Sequence, residues 1–149
     1  MENNEVVSVL NDLIETSKDG EKGFHECAEG VKDERLKAFF TQRSQECATA
    51  AGELQQLVRS LGGDPETSSS MAGAMHRGWV DLKSMITGKD DAAILNECER
   101  GEDVALKNYN EALQKDLPPS VREVVGRQAQ GAQRNHDEVK SLRNMARAH

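Results

Sequence analysis

Apolar residues recur every three or four positions along four long segments, which is the period of an α-helix with one buried face. The first segment runs from about Asn3 to Gly30 and the second from about Asp33 to Leu61. The third runs from about Asp91 to Gln114, and the fourth starts at the "PPS" tripeptide, residues 118–120. The pattern predicts four helices, and the short turns after the first and third helices predict antiparallel neighbours.

The residues next to these segments carry the chemistry of helix ends. Asp33 and Asp90 stand where an N-cap side chain would accept a backbone N–H. Gly62, in "GGDP", is a predicted C-terminal cap because glycine adopts a left-handed conformation without a steric penalty. Gly20 and Gly23 weaken the first helix, each by up to about 1 kcal/mol relative to alanine.

The apolar stripes predict the core of a bundle. Their members are Val6, Leu10, Leu13, Ile14, Phe24, Ala28, Val31, Leu36, Phe40, Cys47, Ala50, Leu54, Leu57, Leu61, Ile94, Leu95, Cys98, Ala105, Tyr109, Leu113, Val121, Val125, Ala132, Val139, Leu142 and Met145. Apolar residues are 36% of the chain and aromatic residues only 3%, so the core is narrow and regular rather than that of a sandwich or barrel. The length of 149 residues suits a single all-α domain over residues 1–149.

The connection between the second and third helices, residues 62–90, is too long for a tight turn. Within it, Met71, Met75, Trp79, Leu82 and Ile86 follow helical spacing. We predict a helical crossover that lets the third helix begin at the far end of the bundle. The apolar side of this short helix covers the flank or end of the bundle, and a partner-binding or copper-binding stripe is the alternative.

The charge of −7 disfavours nucleic acid and anionic membranes, both of which attract basic faces. No apolar run approaches the roughly 20 residues that span a bilayer, and the acidic start "MENNEVVSVL" does not resemble a signal peptide. Cys27, Cys47 and Cys98 form no C-x-x-C pair. We interpret them as reduced, buried residues of a cytoplasmic protein, with a redox or metal role as the alternative.

Three side chains on or beside the stripes are candidate metal ligands. Glu102 lies on the stripe between Cys98 and Ala105 and should point inward, whereas Glu46 lies beside the stripe, next to Cys47. His136 lies on an inward edge of the fourth helix, in "QRNHDE". Buried carboxylates need a cation, a proton or solvent, because an isolated buried charge is costly.

The two halves of the chain also share a pattern at an offset of 85 residues. Leu10-Asn11 and "FHECA" (24–28) match Leu95-Asn96 and "YNEAL" (109–113). The match suggests a duplicated helical hairpin, and it places Ser17 in the first helix where the third helix has Glu102.

Several short motifs are distributed along essentially the whole chain: "LNDLIETSKDG" with "GFHECAE", "GED" with "NYNEAL", "LPPSVREVV", "NHDEVKSLR" and the middle segment with "HRGWVDLK". In these motifs the chain resembles the ferritin-like superfamily, and within it a family of uncharacterised, mostly proteobacterial four-helix-bundle proteins. The resemblance implies a ferritin-like antiparallel four-helix bundle with one long helical crossover between helices 2 and 3.

The resemblance also implies where a di-iron centre would lie. The six ligand positions of the superfamily fall on Ser17, Glu46, Thr49, Glu102, Gln133 and His136. Only Glu46, Glu102 and His136 are good ligands, so the site is expected to be degraded, holding no metal or one weakly bound divalent ion such as iron or manganese. A variant of the site replaces Glu46 by Glu21.

Three functions follow as hypotheses. The first is a non-enzymatic bundle protein with a degraded di-iron site, stress-associated or partner-binding. The second is a divergent metal-binding protein of oxidase or iron-handling type, and the third is a small-molecule binder in the bundle core. The chain carries no assigned catalytic or cofactor-binding residue, and self-association through helix faces is expected without a defined order.

Overall fold

The computed structural model describes residues 1–67 and 90–147, and within them the chain forms four α-helices and no strand. We number them α1 (Asn3–Gly30), α2 (Glu34–Ser60), α3 (Asp91–Leu113) and α4 (Pro119–Arg147). Both ends of the first three helices and the start of the fourth agree with the predicted bounds to within about one residue, and no end was predicted for the fourth helix. The predicted crossover helix, with its Met and Trp stripe, lies outside the described residues.

The predicted caps are confirmed. Asp33 accepts a hydrogen bond from the N–H of Arg35 at 2.8 Å, and Asp90 accepts one from the N–H of Ala93 at 2.8 Å. Gly62 has a φ of +81°, which favours glycine. The N–H groups of residues 62 and 63 donate to the carbonyls of residues 59 and 58, as in a Schellman motif.

Contacts between helix ends establish the directions of the helices. The side chain of Asn11, near the start of α1, donates to the carbonyl of Asp64, beyond the end of α2, at 3.2 Å. The N–H groups of Lys32 and Asp33 donate to the carboxylate of Asp91, at the start of α3, at 3.0 and 3.1 Å. Thus α1 and α2 are antiparallel, whereas α2 and α3 begin at the same end and run parallel.

The packing of the four helices is uneven. α1 packs closely along α2, α3 along α4, and α1 against α3, whereas α2 and α4 touch over a much shorter length. Gly20 lies at a close approach of α1 to α2, where a Cβ atom would come within 2.8 Å of the Cys47 sulfur. A glycine that weakens an isolated helix therefore allows this helix to pack tightly.

The core is divided into two apolar clusters, one toward each end of the bundle. One cluster contains Val6, Leu10, Leu13, Ile14, Leu54, Val58, Tyr109, Ala112, Leu117, Val121, Val125, Ala129 and Ala132. The other contains Phe24, Cys27, Ala28, Val31, Leu36, Phe40, Cys47, Ile94, Leu95, Cys98 and Val139. Buried polar side chains, including Ser17, Arg43, Glu102 and Gln128, lie between them.

Most of the predicted stripe is buried or partly buried, and all three cysteines are in the core. The prediction is wrong for Met145, whose exposed fraction is 59% because it lies near the end of α4, beyond the last fully buried turn. None of the helices in the described ranges combines the length and apolar character that crossing a membrane requires.

Candidate functional site

A buried ion pair joins α2 to α3 at the centre of the bundle. The Arg43 Nε and Nη2 atoms each lie 2.9 Å from the same oxygen, Oε1, of Glu102. The Arg43 side chain is 10% exposed and the Glu102 side chain 1% exposed. The guanidinium carbon also lies 5.3 Å from the centre of the Phe24 ring, a cation–π contact. The second carboxylate oxygen of Glu102, Oε2, is buried and has no hydrogen-bond partner in the described part of the chain.

Burial and pairing act in opposite directions on the two charges. Burial raises the pKa of the Glu102 carboxyl, and the attraction and hydrogen bonding of Arg43 offset only part of this effect. Burial by itself lowers the pKa of Arg43, but the nearby Glu102, Cys47 and Glu46 outweigh it, so the net pKa of Arg43 is raised. Arg43 therefore remains a cation, and Glu102 holds its charge less readily than an exposed carboxylate.

A chain of hydrogen bonds runs beside the ion pair, from α1 through α3 to α4 and α2. The Tyr109 hydroxyl donates to Oε1 of Gln128 at 2.8 Å and lies 3.4 Å from the Ser17 hydroxyl. The Gln128 amide nitrogen donates to the carbonyl of Ala50 at 3.2 Å and to Glu53 at 3.1 Å. Burial raises the pKa of Tyr109 to about 12, so its hydroxyl remains protonated as a donor.

A cavity of about 430 Å³ adjoins the ion pair and opens between α2 and α4, where these helices make few contacts. Its floor is formed by α1 and α3, with Ser17, Gly20, Phe24, Gly101, Glu102, Ala105 and Tyr109. At its mouth Arg127 donates to Glu53 at 2.8 Å, and this bond lowers the pKa of Glu53. A cavity of this size suits a small organic molecule.

Comparison with protein families matches residues 5–115 to the family described as Domain of unknown function (DUF2383). The chain belongs to this family. Comparison with curated proteins finds no match. The matched range contains α1 except its first two residues, all of α2 and α3, and the Arg43–Glu102 pair, so the centre of the site lies within the DUF2383 domain.

The predicted metal ligands of this DUF2383 protein lie in different surroundings. Glu102 points inward, as predicted, but its partner is an arginine. Glu46 and Thr49 are exposed residues at the mouth of the cavity. The variant ligand Glu21 is half-buried and lies 3.5 Å from the ammonium of Lys18.

The remaining ligand positions, on α4, make their hydrogen bonds with aspartates rather than with Glu102. Gln133 is exposed and donates to Asp137 at 3.0 Å. The Nε2 atom of His136 lies 2.5 Å from Asp103, and its Nδ1 atom lies 3.3 Å from Asp137. Glu99, one turn before Asp103 on α3, has a ligand atom within 4.8 Å of those of His136 and Asp103. Glu99 also pairs with Arg143.

The sequence-based candidates did not include Arg43 and Gln128 of the central site, or Glu99 and Asp103 of the cluster on α3 and α4. Arg43 lies at a stripe position, three residues after Phe40 and four before Cys47. Gln128 likewise lies between Val125 and Ala132 on the stripe of α4. A long polar side chain at a stripe position is expected to be buried and hydrogen-bonded to a partner. This expectation could have identified both Arg43 and Gln128. Asp103 offered no comparable signal because its side chain is exposed.

Proposed function

We propose that this chain is a non-enzymatic, ferritin-like bundle that binds a small organic molecule in the cavity beside Arg43 and Glu102. The observation that carries the proposal is the Arg43–Glu102 ion pair, which lines a cavity of about 430 Å³. Parallel α2 and α3 support the ferritin-like topology, because bundles with one long crossover contain such a pair. Cytoplasmic location, self-association and a stress-associated role stay predictions.

The ion pair disfavours a di-iron centre at this position. Arg43 places a positive charge beside the one inward-facing carboxylate of the six-ligand pattern, and so supplies the charge that a metal ion would otherwise provide. A second cation there would be repelled by the guanidinium, while exposed Glu46 could hold it only weakly. We therefore assign the central site to an organic ligand.

The lining of the cavity defines the chemistry of the ligand. The unpartnered Oε2 atom of Glu102 is a buried acceptor, and it favours a ligand that carries an uncharged donor such as a hydroxyl, because Arg43 disfavours a second cation there. The Phe24 ring and the Ala105 methyl group provide apolar contacts for a compact hydrocarbon body. The expected ligand is therefore a small amphipathic molecule with one donor group at its buried end.

The same surroundings support binding rather than catalysis. Burial raises the pKa of the Cys47 thiol to about 12, and it raises the pKa of Tyr109 to about 12 as well. At neutral pH neither group ionises to act as a nucleophile or a general base. The polar groups of the cavity are thus suited to orient a ligand.

A matched series of probes tests the proposal. 2-Phenylethanol, propylbenzene and phenethylamine have the same ring and chain and differ only in the last group, which is a hydroxyl, a methyl or, at neutral pH, an ammonium. We expect the alcohol to bind more tightly than the hydrocarbon, and the ammonium, which Arg43 repels, to bind most weakly, by isothermal titration calorimetry and by NMR shifts of the Gln128 side-chain amide. Ala105→Leu fills the cavity and should weaken all three probes, whereas Glu102→Leu should remove the advantage of the alcohol over the hydrocarbon.

Two outcomes contradict the proposal. No binding of any probe at millimolar concentration would show that the cavity does not accept a ring of this size. Equal binding of all three probes would show that Glu102 does not select the ligand.

The three-residue cluster on α3 and α4 supports a second candidate function, the binding of one divalent cation. The ligand atoms of Glu99, Asp103 and His136 lie within 4.8 Å of one another, a donor set that suits zinc or manganese. Titration with zinc and manganese should show one site in the wild type and none in His136→Ala. Unchanged affinity in His136→Ala would exclude this cluster.

A further inference from the structure

Two buried cysteines on different helices face each other at one end of the bundle. The sulfur atoms of Cys27 on α1 and Cys98 on α3 are 2.6 Å apart. Both residues are completely buried within the second apolar cluster. This separation is about half an ångström longer than a disulfide bond of roughly 2.05 Å. It is also shorter than the contact of about 3.5–4.0 Å that non-bonded carbon atoms prefer, although sulfur is larger.

We propose that Cys27 and Cys98 are a site of oxidative modification, at which a peroxide or a small disulfide compound converts the two thiols into a disulfide that links α1 to α3. The two positions are 71 residues apart in the chain, so this bond closes a long loop. A bond between them requires only a small approach of two side chains that already touch.

The reaction with hydrogen peroxide balances as a two-electron oxidation. One sulfur attacks a peroxide oxygen, the O–O bond breaks, and a sulfenic acid and one water form. The second sulfur attacks the first, the S–S bond forms, the S–O bond breaks, and a second water leaves. The two thiol protons end in the waters, the cysteines are oxidised and the peroxide is reduced.

The surroundings of the pair make this oxidation slow rather than catalytic. Burial, followed by the contact with Cys27, raises the pKa of the Cys98 thiol well above its ordinary value. Few thiolates are therefore present at neutral pH, and the oxidant must reach a buried position. The expected role is a lasting covalent link formed under oxidising conditions, not rapid turnover.

The third cysteine provides an internal control. Cys47 is also buried, but it lies on α2 and packs at Gly20, where an added Cβ would come within 2.8 Å of its sulfur. Cys47 and Cys98 thus share burial and a raised pKa but differ in having a facing thiol. If proximity determines the modification, Cys47 should remain a thiol.

The test uses the full chain, reduced with dithiothreitol, desalted and then treated with hydrogen peroxide. After denaturation and alkylation with iodoacetamide, we expect alkylation at Cys47 alone and an intact mass lower by two hydrogens before alkylation. Trypsin should yield residues 23–32 joined to residues 90–100. The melting temperature should rise by about 5–15 °C, because the link constrains the unfolded chain.

Matched variants keep the outcome clear. Cys47→Ala should form the link and leave no alkylated cysteine, while Cys27→Ala and Cys98→Ala should not form it. Cys47→Ala retains both cysteines of the pair, so this variant is sufficient to detect the disulfide. A folding defect in Cys27→Ala or Cys98→Ala would therefore not obscure whether the disulfide forms. Alkylation of all three cysteines after peroxide treatment, a link to Cys47, or links only between chains would overturn the proposal.

Discussion

Arg43 and Glu102 form a buried ion pair in which two guanidinium nitrogens share one carboxylate oxygen, while the other oxygen has no hydrogen-bond partner among the described residues. The pair lies between two apolar clusters and beside the central cavity. It thus places a positive charge and an unpartnered buried acceptor together at the centre of the bundle.

Removing one partner of the ion pair should lower the free energy of unfolding more than removing both partners. Arg43→Met leaves Glu102 buried without its cation and should lower the free energy of unfolding by about 3–5 kcal/mol at pH 7. The double variant Arg43→Met with Glu102→Leu should regain most of this loss. Urea denaturation measures both variants, and a double variant as unstable as the single one would contradict the prediction.

The stability difference between wild type and Glu102→Gln should depend on pH. The pKa of Glu102 in the folded protein is raised above its ordinary value of 4.5, so between these two values the folded state binds more protons than the unfolded state. The contribution of Glu102 is fully present below pH 4.5 and is lost as pH rises through the folded pKa. Urea denaturation of both proteins from pH 4 to pH 8 should show the wild type losing stability relative to the variant, and the opposite slope would show that Arg43 dominates.

Tyr109 should titrate far above the range of an exposed tyrosine. It is the single tyrosine of the chain, so the absorbance of tyrosinate reports this residue alone. Burial raises its pKa to about 12, and we expect almost no ionisation at pH 10.5 in the folded protein. In 8 M urea, where the chain is unfolded, the midpoint of Tyr109 ionisation should return to about pH 10. A midpoint near 10 in the folded protein would show that the hydroxyl is accessible to water.

Two glycine substitutions should have opposite effects. A Cβ at Gly126 of α4 meets nothing within 4 Å, so Gly126→Ala should stabilise the protein by about 0.5–1 kcal/mol through helix propensity. Gly20→Ala should instead destabilise it, because the added carbon would lie 2.8 Å from the Cys47 sulfur. Thermal denaturation measures each change.

The cause of the Gly20 effect can be isolated with a second substitution. Cys47→Ala removes the sulfur that the new methyl group meets, so Gly20→Ala should become neutral or stabilising in that background. Equal destabilisation in both backgrounds would show that the close approach involves other atoms.

The helices and their caps could be predicted because they depend on local chemistry. Asp33, Asp90 and Gly62 act on backbone groups within a few residues of themselves, and each was predicted from its neighbours. The inward direction of Glu102 was also predictable, since a residue between two apolar stripe positions shares their face. Met145 shows the limit of the pattern, because helical period does not reveal where the neighbouring helix ends.

The candidate site was predicted only in part. Helical spacing identified Glu102 and placed His136 near an inward edge. It could not determine which residues of the other helices lie at the same level along the bundle axis. His136 therefore meets Asp103 rather than Glu102, and Arg43 was missed as the partner of the buried carboxylate. Cys27 and Cys98 face each other only because of the position that α1 takes along α3, and helical spacing does not reveal that position either.

By itself, the sequence determined four helices, their boundaries and the face that each one buries, because hydrophobic period and capping act over one or two turns. Only the tertiary structure decided that Glu102 is neutralised by Arg43, that a cavity remains between α2 and α4, and that two cysteines touch. These features depend on how far each helix slides along its neighbours. That displacement results from the packing of all four helices together, and no local pattern in the chain records it.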